Sequence, residues 1–191
     1  RVSRRDLLYG ILLPSGNDAA NAAAVSVSGS IGSFVELMNE KAAELGLAST
    51  HFVTPSGLDA DGHCTTARDL AALTAYAMKN ETFREVVSCP SARVEFGNPP
   101  YMRTLYNSNK MLQRYEGAVG VKTGFTDNAR RCLVSAAERD GVTLIAVTLN
   151  APDDWNDHTK MLDYGFSKVH SYPLELSCTE KVAVAGTGKS V

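Results

Sequence analysis

The sequence predicts an α+β domain in which helices pack against an antiparallel sheet, and three observations predict it. From Ser3 to Val87 the apolar residues recur mainly at helical spacing. From Ala92 to Leu149 they alternate as strands do, with Asp140-Gly141 between two such runs as a strong hairpin turn. From Asp153 to Phe166 helical spacing returns. A helical block, a meander and a closing helix is the order of an α+β fold, or of a sheet covered by helices on both faces.

Taken in order, Ser3 with Asp6 resembles a capping box and opens a helix through Leu7, Leu8, Ile11 and Leu12. Pro14-Ser15-Gly16-Asn17 stops it, and an Ala-rich helix follows from about Asp18 to Val27. Gly29 and Gly32 bracket the next break. Phe34, Leu37, Met38, Ala42 and Leu45 then keep helical spacing up to Gly46, a residue suited to the left-handed position after a helix. Leu47 to Thr65 is irregular and turn-rich, and a loop that long in a compact domain is usually functional or packed over a site. Thr66 caps a helix carrying Leu70, Leu73, Tyr76 and Ala77 to about Asn80, and a short helix runs from Thr82 to Val87. Ala92 to Phe96 is a strand, with Asn98-Pro99-Pro100 as its turn. Ala118 to Thr123, Cys132 to Arg139 and Val142 to Leu149 make three antiparallel strands. The closing helix is expected to bury Trp155, Met161, Leu162 and Phe166. Beyond Tyr172-Pro173, a strand-like segment runs from Lys181 to Ala185.

Composition narrows the function classes. Hydrophobic residues make up 44% and charged residues 21% of 191, ordinary for one sizeable globular domain. A net charge of -2 gives no reason to expect nucleic acid or an anionic membrane surface as partner. No apolar run approaches the roughly 20 residues needed to span a bilayer. Cys64, Cys89, Cys132 and Cys178 lie too far apart for metal-ligand spacing, and their disulfide state is open. The chain opens on Arg1-Val2-Ser3-Arg4-Arg5 without a methionine or an apolar leader stretch, so we expect a start inside a longer protein.

Two short stretches carry chemistry. In Lys122-Thr123-Gly124, at the edge of a strand, the ammonium supplies charge and the hydroxyl a directional hydrogen bond for a carboxylate. Gly124, lacking Cβ, lets a substrate backbone approach the strand. In Ser15-Gly16-Asn17, at a helix-to-helix corner, a hydroxyl that can pass a proton stands two residues from a carboxamide that can hold a peptide group. The bland alternative is that Ser15 and Asn17 only cap the following helix.

Together, Ser-x-Asn and Lys-Thr-Gly are two of the three motifs of the penicillin-binding and serine β-lactamase superfamily. The sequence resembles the low-molecular-mass penicillin-binding proteins, the D-alanyl-D-alanine carboxypeptidases. Leu7-Leu8-Tyr9-Gly10 to Ser15-Gly16-Asn17-Asp18-Ala19-Ala20 carries the likeness, as do His51-Phe52 to Gly57-Leu58, Thr66-Ala67-Arg68-Asp69-Leu70-Ala71 and Gly120 to Asp127. The resemblance implies a serine β-lactamase/transpeptidase-like fold, with residues 1–168 as a catalytic domain lacking its N-terminal part and 169–191 as the start of a small β-rich C-terminal domain. It implies removal of the terminal D-alanine from peptidoglycan stem pentapeptide through an acyl-enzyme, with β-lactams as covalent inhibitors. Ser15 would relay a proton to the leaving D-alanine and Asn17 would hold the substrate amide. Lys122 and Thr123 would receive the carboxylate, and the Phe125 N–H would be one oxyanion-hole donor. Ser108, where some relatives carry a carboxylate-binding arginine, is a further candidate pocket residue. No cofactor or metal is implied. The place of action would be outside the cytoplasmic membrane, with attachment through a C-terminal amphipathic helix that these residues do not include.

The sequence departs from the pattern in one respect: no Ser-x-x-Lys occurs in it. Truncation explains this more simply than loss. The rival readings are a non-catalytic module that holds D-alanyl peptides or penicillin, a serine β-lactamase, and a fragment that does nothing alone. The β-lactamase reading wants a Glu-x-x-x-Asn pattern on an Ω-type loop, which is not found. Ala183 to Ser190 imitates a phosphate-binding loop without the helix that must follow. His63-Cys64 are adjacent rather than opposed, and Asp59, Asp61 and Gly62 lack the later ligands of a calcium loop. A core missing a helix and strands loses more than the roughly 5–15 kcal/mol of a typical domain. Residues 1–191 expressed alone should therefore be poorly soluble or non-native, and a sharp cooperative thermal transition would refute this.

Overall fold

The computed structural model describes residues 2–169. In chain order these form α1 (Arg4–Leu12), α2 (Asn17–Ser28), α3 (Ile31–Glu44), α4 (Ala67–Ala77), α5 (Glu81–Ser88), β1 (Ser91–Phe96), β2 (Tyr101–Tyr106), α6 (Met111–Arg114), β3 (Ala118–Thr126), β4 (Arg130–Arg139), β5 (Val142–Thr148) and α7 (Asp154–Phe166). The strands make an antiparallel β1–β2 hairpin and an antiparallel sheet of order β3-β4-β5.

Local chemistry sets the helix ends. The side chains of Ser3, Ser30, Thr66 and Asn80 each accept a backbone N–H three residues on. Asn80 thus separates the two helices predicted on either side of it. Gly29 closes α2 in the left-handed region at φ +81. Gly32, expected to mark the same break, lies inside α3 instead.

Helices cover both faces of the three-stranded sheet, and strict alternation along β4 divides the core. Leu133 and Ala137 point to one face, where Met111, Tyr115 and Leu162 complete a cluster with Trp155 and Phe166 against it. Val134 and Ala136 point to the other, packed with Met78, Val87 and Val121 beneath Leu12 and Phe83. Gly120 belongs to this second contact: a Cβ there would lie 2.9 Å from Val87 Cγ2, so only glycine lets α5 approach β3 so closely.

One expectation is corrected and two elements are added. Met161 is exposed, whereas Leu162 is buried. Successive helical residues point about 100° apart, and the inward stripe of α7 runs through Asp154, His158 and Leu162, leaving Met161 at its rim. Polar residues filled the positions that an apolar reading assigned elsewhere. The strand β2 was not expected, because most of its residues are exposed and give no alternation to read. The one-turn α6 is too short for a periodic signal. The expected strand Lys181 to Ala185, and the small domain from residue 169 except Val169, lie outside the described residues.

His158 is wholly buried between α7 and the sheet. Its Nδ1 lies 2.8 Å from Ser135 Oγ and its Nε2 lies 3.0 Å from Thr148 Oγ1. A neutral imidazole satisfies both hydroxyls, and burial pushes its pKa from 6.5 down to about 4. The unfolded chain therefore takes up this proton first, so stability is full above about pH 6.5 and is lost as pH falls toward about 4. Denaturant unfolding of the gene product should show a loss of about 3 kcal/mol across that window from this group.

Candidate active site

The corner between α1 and α2 is held by close backbone packing. The Gly16 N–H donates to the Gly10 carbonyl at 2.9 Å, and a Cβ on Gly16 would meet that oxygen at 2.8 Å. Ser15 takes a left-handed conformation, φ 63, which turns its side chain away from the helix it precedes. The capping reading fails here. Gly16 is the N-cap of α2 without a side-chain cap bond, and Asn17 is already the first helical residue. The Ser15 hydroxyl instead accepts from Lys122 Nζ at 2.9 Å, across 107 residues of sequence.

Lys122 Nζ also donates to the Thr123 carbonyl at 2.7 Å. Burial of the amine lowers its pKa from 10.5 to about 8. The direction of the strand's other polar groups follows from the register. In a strand, the N–H and C=O of one residue face the same side. The Arg131 carbonyl accepts from Ala151, which follows β5, so the polar groups of Arg131 face away from β3. Phe125, its register partner, must then turn its N–H and C=O away from β4. Thr123, two residues earlier, faces the same way, as its bond from Lys122 requires. β3 is the edge of its sheet among the described residues, so these groups line an open edge.

That edge borders a cleft of about 770 Å³. Ser15, Asn17, Ser108, Lys122, Thr123, Gly124 and Phe125 all line it, so every residue singled out from sequence meets in one place. Ser108 is seated by its backbone N–H, which donates to Leu13 at 3.1 Å at the end of α1. The preceding Asn107 anchors the same segment by donating to the Val87 and Cys89 carbonyls, each at 3.1 Å. The long loop also lines the cleft, through Phe52, Pro55, Leu58 and His63. Its turn-rich length was the only sign of that role.

Residues missed in the sequence complete the rim. Arg131 grips buried Asp154 with two bonds, Nε to Oδ2 at 3.1 Å and Nη2 to Oδ1 at 2.6 Å, and stands 5.6 Å from the centre of the Trp155 ring. Nothing in the spacing links positions 131 and 154. On the other side of Lys122, a second hollow of about 440 Å³ is lined mainly by apolar residues including Leu12, Leu73, Phe83 and Val134.

The decoys fall away on geometry. His63 Nδ1 binds backbone while Cys64 pairs with His51 through backbone bonds, so they form no dyad. Among the described residues no three His, Cys, Asp or Glu side chains gather as a metal site, and no helix is long and apolar enough to cross a membrane. Cys64, Cys89 and Cys132 are free thiols. The stretch from Ala183 to Ser190 lies outside the described residues, as does Cys178.

The family profile described as D-alanyl-D-alanine carboxypeptidase matches residues 1–153. The chain belongs to this family. Its sequence is 38% identical over 173 residues to D-alanyl-D-alanine carboxypeptidase DacF of Bacillus subtilis, covering 89% of this chain and 44% of that protein. It is 41% identical over 171 residues to D-alanyl-D-alanine carboxypeptidase DacB2 of Mycobacterium tuberculosis, covering 85% and 58%. The chain thus spans about half the length of these relatives. The crystal structure of the Streptomyces K15 DD-transpeptidase superposes with a TM-score of 0.81 at 39% identity, covering 85% of this chain and 67% of that one. The fold is therefore the transpeptidase-like one that the resemblance implied.

Gly16→Ala should displace the Ser15–Asn17 corner, because its new methyl meets backbone rather than a movable side chain. We expect a loss of roughly 1–3 kcal/mol in unfolding free energy of the gene product, with Gly32→Ala, where an added methyl meets nothing within 4 Å, as the control.

Proposed function

We propose that this chain forms the substrate-binding wall of a serine-type D-alanyl-D-alanine carboxypeptidase. The observation that carries the reading is the bond from Lys122 to Ser15, which unites the two sequence motifs at the open edge of β3. A peptide ending in D-alanine would lie along that edge as an added strand. Lys122 and Thr123 receive its terminal carboxylate, and the outward N–H of Phe125 donates to the carbonyl under attack. The Asn17 carboxamide, which makes no hydrogen bond to another described side chain, holds the substrate amide. Ser15, already bonded to an amine, passes the proton to the departing D-alanine. Ser108 sits beside the carboxylate as a hydroxyl donor.

The nucleophile of the reaction is the serine of a Ser-x-x-Lys motif, which these residues do not contain. Its helix would sit in the apolar hollow beside Lys122, whose lining suits an amphipathic helix. Attack of that serine forms an acyl-enzyme and expels D-alanine, and water then releases the shortened stem peptide. A β-lactam carries a carboxylate on an acylating ring and would be held by the same groups. The substrate places the enzyme in the cell envelope, outside the cytoplasmic membrane. The chemistry needs neither metal nor cofactor.

The test uses the gene product with fluorescent penicillin and with diacetyl-lysyl-D-alanyl-D-alanine. Covalent labelling and D-alanine release are expected, and Lys122→Ala should reduce both by about 10- to 100-fold, as loss of a charged hydrogen-bond donor does. The ammonium is the binding form, so the contribution of Lys122 to affinity for the carboxylate should hold below about pH 8 and fall above it as the amine loses its proton. An intact Ser-x-x-Lys with neither labelling nor release would overturn the reading. Labelling or binding without release would support the non-catalytic module instead.

A further inference from the structure

The loop joining α3 to α4 supplies part of the wall of the cleft that Lys122 also lines, and one side chain ties that part of the loop together. His63 Nδ1 accepts the backbone N–H of Val53 at 3.1 Å and that of Thr54 at 3.4 Å. An imidazole nitrogen can accept only while it carries no proton. The ring meets Phe52 edge-on, with centroids 6.0 Å apart, and burial holds its pKa below the ordinary 6.5.

The segment is tied independently at each end. Asn39 of α3 clamps Phe52 both ways, donating to its carbonyl and accepting its N–H, each at 2.8 Å. At the far end the Thr54 hydroxyl donates to the Leu58 carbonyl at 3.0 Å. Thr126 at the end of β3 donates to Asp59 Oδ1 at 2.8 Å, joining the loop to the edge strand. His63 is the acceptor between these ties, and Phe52, Pro55 and Leu58 are the cleft-lining residues it keeps in register.

We infer that His63 is a positioning residue: its neutral ring holds the Phe52–Leu58 wall at the separation a bound peptide needs, and its protonation releases that wall. The inference rests on the cleft being the D-alanyl-peptide site proposed above. The charged neighbours on its own loop are Asp59, which favours the proton, and His51, which opposes it. Asp61 shares a smaller hollow with His63, where the β3–β4 turn contributes only Asn128 and Ala129. Lys110, Lys122, Arg131 and Asp154 line other parts of the cleft. Lys122, with its pKa near 8, keeps its charge through the range in which His63 titrates. Acid therefore weakens the wall without neutralising the amine that receives the carboxylate.

Hydrogen–deuterium exchange of the gene product tests the wall directly, in wild type, His63→Asn and His63→Ala. An asparagine amide oxygen stands close to where Nδ1 stood, accepts the same N–H groups and does not titrate. Between about pH 7 and about pH 5, protection of the 52–58 segment should fall roughly tenfold in wild type and stay level in His63→Asn. In His63→Ala it should be low throughout. Over the same range KM for diacetyl-lysyl-D-alanyl-D-alanine should rise several-fold in wild type, kcat should change less, and His63→Asn should abolish the rise. Equal pH dependence in wild type and His63→Asn would overturn the inference. So would a wall that loosens in acid while KM stays constant. Protection that follows the expected pattern in a protein that neither binds nor cleaves the peptide at any pH would overturn the function proposed above, leaving the His63 contact itself intact.

Discussion

Lys122 donates one hydrogen bond to a helical corner and another to its own strand, and the functional geometry depends on that pair. Ser15 belongs to the α1–α2 turn and Thr123 to β3, so a single amine bridges the helical corner and the sheet edge. The arrangement is costly for the lysine, whose burial favours the neutral form. Its compensation is two short bonds to oxygen, and an incoming carboxylate would add a third partner of opposite charge. Under the function proposed above, a group held this way would need little reorganisation on substrate binding, which is where preorganised charge does most for catalysis.

The surroundings serve that contact. Gly16 lets the corner sit against Gly10, and Gly120 lets β3 sit against Val87, so both sides of the contact are fixed by places where a Cβ would not fit. β3 is left as an edge, ordinarily a liability because its unpaired N–H and C=O groups invite association. Here the same groups face a walled cleft, with the 51–65 loop on one side and the Arg131–Asp154 pair at the rim. Under the proposed function this edge would pair with an extended peptide.

Much of this was legible beforehand because it was local. Capping residues at Ser3 and Thr66, the Asp140-Gly141 hairpin and the alternation in β4 each depend on a few neighbouring residues. What failed was either too short or satisfied by unexpected chemistry. Four residues of α6 carry no period, and β2 shows no buried face. His158 rather than Met161 lies in the core because burial of a histidine is favourable when its ring nitrogens have partners, and Ser135 and Thr148 come from other elements.

The residue order was sufficient to establish an α+β domain, the two motifs and the family they resemble, since those signals lie within runs of three to ten residues. It was also sufficient to single out every residue that later met in the cleft from the two motifs. Which way Ser15 turns, which face of β3 is open and what stands across from it were decided only when distant segments packed together. A hydroxyl before a helix can cap it or bond elsewhere, and here it bonds to Lys122, 107 residues away. His63 and Arg131 show the same limit: their partners are backbone amides and a buried carboxylate that no spacing along the chain announces.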